Sequence, residues 1–278
     1  MQKIITLTTD FGYKDYYVGA LKGKIYSNIS NCNIVDISHG ITSYNIEEAG
    51  FVIAATYNNF PKGTIHIVAV DAFISESTPA VCMKYNGHYF ITVDNGVLTQ
   101  LLSSDGFESA VYIHNDGSLR SNDLFVYCAY QLSEGRKLKS LGVEVESLTK
   151  LNRISDSLIL EDNRISGKIV YEDTYGNLIT NITKEAFDKI GRGKDFVIRV
   201  KSNSISRLNK YYADFKVTES MTLKDRAGDL LAVFNDLDLL VITIFYSRPN
   251  NPGGSPRTLL SLQLHDNISI EFAVEPIT

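Results

Sequence analysis

The sequence predicts a two-part α/β protein: a layered, mostly parallel α/β domain followed by a β-rich domain. Three observations carry this. Through the first half of the 278 residues, short β-branched runs alternate with segments of helical periodicity. The second half is dominated by strand-like runs with one clear helix. The polar stretch SLTKLNRISDS separates the two patterns, which sets domains at 1–153 and 154–278.

The elements follow in order. KIITLT is a β-rich run, and DYYVGALKGKIYSNI carries apolar residues at helical spacing. NIVDIS is a second strand. NIEEAGFVIAATYNNF is a helix with Asn45 as N-cap and Glu47 and Glu48 in its first turn. TIHIVAV is a third strand, ending at Asp71. AVCMKYNGHYFITV reads as a hairpin turning at Asn86-Gly87, followed by a short helix from Val97. AVYIHN and a helix over Leu124 to Leu132 complete this half. In the second half, SLILE, ISGKIVYED, DFVIRV, DLLAVF, LLVITIFY and ISIEFAV read as strands, with a helix over Lys184 to Ile190. These suit a small barrel or sandwich. The turn-rich SRPNNPGGSPR reads as an exposed, mobile loop.

Composition narrows the function. A net charge of −5 and a pI near 5.6, with no basic run, argue against nucleic acid or an anionic membrane surface. Cys32, Cys82 and Cys128 are too widely spaced for a zinc site or a disulfide framework. The N-terminal apolar stretch is too short for a signal peptide, and no window of the chain is long and apolar enough to span a membrane. The expectation is a cytoplasmic protein.

Four polar clusters stand at expected strand ends, where ligands of parallel sheets bind. Thr8-Thr9-Asp10-Phe11-Gly12 follows the first strand; Asp10 suits either a ribose diol or the N-cap of the next helix. Asp71 ends the third strand. Asp94-Asn95-Gly96 reads as a turn. In YEDTYGNLITNIT, Asp173, Asn177 and Asn181 crowd around Gly176; a hairpin turn accounts for Gly176 but not for so many amides and carboxylates. No phosphate-cradling glycine pattern and no nucleophile elbow is present. The five histidines are isolated in sequence and read as structural.

Taken in order, the segments ITLTTDFGYKDYYVGALKG, IVDISHGITSYNIEEAGFVIAATYNNFPKGTIHIVAVD, VDNGVLTQLL and GKIVYEDTYGNLITNI resemble the S-adenosylmethionine (SAM) hydroxide adenosyltransferases. These adenosine-forming SAM hydrolases are relatives of the fluorinase and chlorinase. GSPRTLLSLQLHDNISI is a weaker part of the same resemblance, which spans nearly the whole chain. It implies a Rossmann-like N-terminal domain, a C-terminal β-barrel, and a homotrimer with SAM bound between subunits. It further implies that Asp10 holds the ribose hydroxyls, Tyr44 lies near methionine and ribose, Asp173 and Asn177 hold the methionine moiety, and Tyr212 stacks on adenine. SAM is then the substrate, with no further cofactor and no metal.

The family's hydrolases handle water with an Asp-Arg-His group, and this chain departs from it. Asp71 is kept, but Ala72-Phe73-Ile74-Ser75 replaces the glycine-rich turn, and no Arg or Lys occurs before Lys84. Arg120 and Ser121 stand where the family has His and Gly. Three outcomes are implied: slow hydrolysis, with Asp71 and Arg120 replacing the lost pair; binding of SAM or adenosine without turnover; and, ranked low, halogenation, since the family's halogenases carry Ser where this chain has Ser121, although Asp71 would repel a halide wherever Arg120 does not offset it.

Overall fold

The computed structural model describes residues 3–102, 106–151, 157–216, 218 and 221–273. The chain divides into two compact units, Met1–Leu151 and Asn152–Thr278. The junction expected at 153/154 lies outside the described residues, as does the end of the last expected strand at Val274.

The first unit runs β1 (Lys3–Thr9), α1 (Tyr17–Asn28), β2 (Cys32–Ser38), α2 (Ile46–Thr56), β3 (Ile65–Ala69), β4 (Ala80–Tyr85), β5 (His88–Val93), β6 (Ser109–Ile113), α3 (Ser121–Ser133) and β7 (Gly142–Glu144). Its sheet has the order β2-β1-β3-β5-β4-β6-β7. The strands alternate sides as their period of two requires. Ile65, Ile67 and Ala69 of β3 join a core with Leu21 and Ile25 of α1 and Phe125 of α3. Val68 and Val70 join a second core with Ala49 and Ile53 of α2. The unit is therefore layered, with helices on both faces, and fully buried side chains such as Ile67 each contribute about 1.5–3 kcal/mol of transfer free energy.

The sheet is mixed rather than mostly parallel. Among the described residues, β1/β2, β1/β3 and β3/β5 pair parallel, whereas β4/β5, β4/β6 and β6/β7 pair antiparallel. The cause is the Asn86-Gly87 hairpin. Both residues have positive φ (49° and 78°), so the chain reverses in two residues without a crossover helix. Asn45 caps α2 as expected, accepting from the Glu48 amide at 3.0 Å. The segment from Val97 is a single 3-10 turn, Val97–Gln100.

The histidines are not all isolated. His66 and His88 are buried, with ring nitrogens 3.2 Å apart, and His66 also meets Thr6 Oγ1 at 2.7 Å. Adjacent strands β3 and β5 bring together residues that lie 22 positions apart in the chain.

The second unit runs β8 (Ile159–Glu161), β9 (Arg164–Glu172), β10 (Leu178–Thr183), α4 (Lys184–Gly191), β11 (Phe196–Val200), β12 (Asn203–Ile205), β13 (Leu208–Asn209), β14 (Leu230–Phe234), β15 (Leu239–Ile244), α5 (Pro256–Leu260) and β16 (Asn267–Phe272). The order β12-β11-β16-β9-β10-β15-β14-β13 curls so that β12 approaches β14, a nearly closed barrel around Ile169, Ile182, Ile198, Leu240 and Ile270. Residues Ser247 to Arg257 are not a freely exposed loop. Ser247 Oγ donates to Gly254 O at 3.0 Å, and Ser255 and Pro256 are buried where Ser255 caps α5. No helix among the described residues is long and apolar enough to cross a membrane.

Candidate functional site

In the first unit, the parallel register sets Thr9 level with Ala69, so Asp10 and Asp71 leave the sheet from neighbouring strand ends. Asp10 is not a helix cap. α1 begins seven residues later at Tyr17 with no side-chain cap, and Asp10 Oδ2 instead accepts the Tyr44 amide at 2.9 Å. That bond crosses from the β1–α1 loop to the β2–α2 loop and holds Tyr44 in the left-handed region (φ 64°). The same two loops are joined by Gly12 N to His39 O at 2.7 Å and by Thr9 Oγ1 to His39 Nδ1 at 2.8 Å. Gly12 itself has φ +65°, which favours glycine.

His39 is fully buried, and its other ring nitrogen lies 3.1 Å from Asp36. Burial opposes ionisation of Asp36, but the hydrogen bond from Lys22 and the facing His39 ring outweigh it and hold the carboxyl below its usual range. The loops that present Asp10 and Tyr44 thus stand on a buried polar network.

Asp71 is half-buried, has φ 46°, and its carboxylate makes no hydrogen bond or ion pair among the described residues. Two residues on, the exposed Phe73 ring lies 6.4 Å from the Tyr44 ring, so the chain after Asp71 reaches the Asp10–Tyr44 pair. Of Asp94-Asn95-Gly96, Asp94 is structural: buried, it accepts from Tyr112 Oη at 2.8 Å and from Thr149 N at 2.9 Å. Burial and that bond push the Tyr112 phenol up to about 12.

Arg120 and Ser121 belong to the same sheet edge. β6 runs in the same direction as β3 and β5, and α3 starts beyond its C-terminal end and packs over β3, β4 and β5. The helix begins at Ser121, three residues before the expected start, so Arg120 is its N-cap residue. Arg120 is exposed and bonds its side chain to nothing among the described residues, Asp71 included. Ser121 is half-buried in the first turn.

In the second unit, Asp173 and Asn177 close the turn between β9 and β10. Asp173 Oδ1 accepts from Tyr175 N and Asn177 N, both at 2.9 Å, and Oδ2 accepts from Asn177 Nδ2 at 2.8 Å. Thr243 Oγ1 on β15 donates to Asn177 Oδ1. The turn is packed from outside: Gly176 has φ +75°, and a Cβ there would lie 2.9 Å from Ser255 Cβ. Asn181 is not part of this group; it accepts from Lys168 N within the barrel.

Tyr212, half-exposed, donates its hydroxyl to Ile244 O at 3.1 Å and accepts from Tyr246 N at 2.8 Å. It thereby braces one wall of a cavity of about 510 Å³ lined by Ile244, Tyr246, Arg248, Lys224 and Gly254. Sequence spacing gave Arg248 no role, since it lies in what reads as a loop. Its place becomes visible once that segment folds back against the Asp173–Asn177 turn.

Residues 5–142 match the family model for the SAM hydroxide adenosyltransferase N-terminal domain, and residues 167–269 match the model for the C-terminal domain. A relative from Methanocaldococcus jannaschii, named (R)-S-adenosyl-L-methionine hydrolase, is 30% identical over 187 residues, 66% of this chain and 68% of that protein. The chain belongs to the SAM hydroxide adenosyltransferase family. A fluorinase from Actinoplanes sp. is 23% identical over 231 residues, 71% of this chain and 77% of the fluorinase. The crystal structure of an uncharacterized conserved protein from Thermotoga maritima aligns with TM-score 0.79 and 26% identity over 96% of this chain and 99% of that one. The two pairs that the sequence resemblance expects at the ligand, Asp10–Tyr44 and Asp173–Asn177, are each directly hydrogen-bonded.

Proposed function

We propose that this chain hydrolyses SAM at its 5′ carbon to adenosine and methionine. The observation that carries the reading is Asp71: a carboxylate with no partner among the described residues, at the strand end next to Asp10, on the edge where ligands of such sheets bind. The sulfonium of SAM is an activated leaving group, so the reaction needs neither an acid to expel it nor a further cofactor or metal. It needs a water held in line with the breaking bond and shielded from bulk solvent. As the water oxygen bonds to C5′, the C–S electron pair returns to sulfur, which becomes the neutral thioether of methionine. Asp71 accepts the proton the water loses. Arg120 and Ser121, at the start of α3 on the same sheet edge, orient the water.

Asp10 and Tyr44 take the ribose, and Asp173 with Asn177 takes the methionine ammonium. Arg248, on the cavity wall braced by Tyr212, suits the methionine carboxylate, and the aromatic surface at Tyr212 suits adenine. The family resemblance supports a homotrimeric, cytoplasmic enzyme whose sites are completed by neighbouring subunits.

A second reading, binding without turnover, is favoured by one observation: Arg120 makes no bond to Asp71. Halogenation is disfavoured by the Asp71 carboxylate, which would repel a halide. Incubating the purified chain with SAM and following adenosine and methionine by chromatography tests the proposal. The expected result is equimolar product that falls at least about 10²-fold in Asp71→Ala. Binding of SAM by calorimetry with no product would leave the second reading, and a halide-dependent 5′-halo nucleoside would leave the third.

A further inference from the structure

We propose that Asn95 is a positioning residue that aims the Asp71 carboxylate; this rests on the role given to Asp71 above. Asn95 Nδ2 donates to Val70 O at 3.1 Å and to Asp71 O at 3.2 Å. These two carbonyls flank the Asp71 Cα, so turning either backbone dihedral of Asp71 breaks one of the bonds. The restraint has something to resist. Asp71 sits at φ 46°, a left-handed conformation that costs a residue with a Cβ about 1–2 kcal/mol. In the ordinary extended conformation, the carboxylate would leave the strand end in another direction.

Asn95 is itself held firmly. Asp94 beside it is buried and bonded to Tyr112 Oη and Thr149 N. Asn95 Oδ1 accepts from Val97 N at 3.2 Å. That last bond is all that the local turn requires of the side chain. The two bonds from Nδ2 cross to the end of β3 and serve Asp71 instead.

Steady-state kinetics on the full chain with SAM test this, using Asn95→Asp and Asn95→Ser in the parent and in an Asp71→Asn background. Both substitutions keep an oxygen for Val97 N. Aspartate replaces the donor with an acceptor, and serine is too short to reach the two carbonyls. The expected result is a loss of kcat of about 10²-fold with KM little changed. In the Asp71→Asn background, neither substitution lowers kcat further, because both act through one group. If Asn95→Asp does not fold, Asn95→Ser carries the comparison. An unchanged kcat, or the same fold-loss in both backgrounds, overturns the inference while leaving Asp71 in place. Full activity of Asp71→Asn, or no adenosine from the parent chain, overturns the role of Asp71 and this inference with it.

Discussion

Lowering the pH from 8 to 5 is expected to destabilise the first unit by about 2 kcal/mol through His66 alone. Burial, followed by the facing His88, pushes His66 down to about 3. Its ring stacks on Phe90 with centroids 4.8 Å apart, and its nitrogens are taken by Thr6 and His88, so the site has no room for a solvated cation. In the unfolded chain, the same imidazole titrates near about 6.5. The folded value is the lower one, so between about pH 3 and 6.5 the unfolded chain binds more protons. Stability from this group is therefore fully present above pH 6.5 and is lost as the pH falls. At pH 5 the chain is 1.5 units below the unfolded value, and at about 1.4 kcal/mol per unit the loss is about 2 kcal/mol. Because pH 5 is still well above the folded value, this figure barely depends on where that value lies.

His88 is also lowered, by burial and then by Lys62, and adds in the same direction. Urea unfolding at pH 8, 6.5 and 5, on the parent and on His66→Gln, isolates the His66 part as a difference in slope. Equal pH dependence in the two proteins would refute the reasoning. His66 lies near the start of β3 and Asp71 beyond its end, so acid inactivation from this source should track unfolding rather than titration at the site.

Two further outcomes can be checked directly. Asp10→Ala removes the acceptor of the Tyr44 amide, a charge-assisted bond of about 1.5–3 kcal/mol. It should raise KM for SAM by about tenfold or more with a smaller effect on kcat; an unaltered KM would remove Asp10 from the ligand site. Gly176→Ala places a Cβ at φ +75°, 2.9 Å from Ser255 Cβ and 3.1 Å from Pro249 Cβ. It should destabilise by about 1–3 kcal/mol and lower the Tm by several degrees; an unchanged Tm would mean that the Ser247–Arg257 segment does not pack on this turn.

Much of the fold was legible in the sequence because its causes are local. The continuous apolar, β-branched run of TIHIVAV, the Asn45 cap with its acidic first turn, and the Asn86-Gly87 hairpin each express a preference of a few neighbouring residues. That hairpin was legible, but its effect on sheet topology was not: a two-residue reversal places β4 antiparallel, and β6 and β7 follow from it. Ordered motifs also pointed to Asp10, Asp71, Asp173 and Asn177, because carboxylates and amides at strand ends have chemistry to offer whatever surrounds them.

Which of these groups solvent or a ligand can still reach was set by long-range packing. Asp94 and Asp173 look alike in sequence and both accept hydrogen bonds on both oxygens, yet Asp94 is buried between Tyr112 and Thr149, whereas Asp173, bonded within its own turn, stays half-buried beside Asn177. Asp10 resembled a helix cap until the β1–α1 loop proved long enough to carry it across to Tyr44. Asn95 read as a turn residue, and it gains its partners only because β5 lies beside β3. The physical reason is the same in each case: periodicity and capping are short-range and written along the chain. A polar side chain's remaining hydrogen-bonding capacity depends on donors and acceptors that folding brings from tens of residues away.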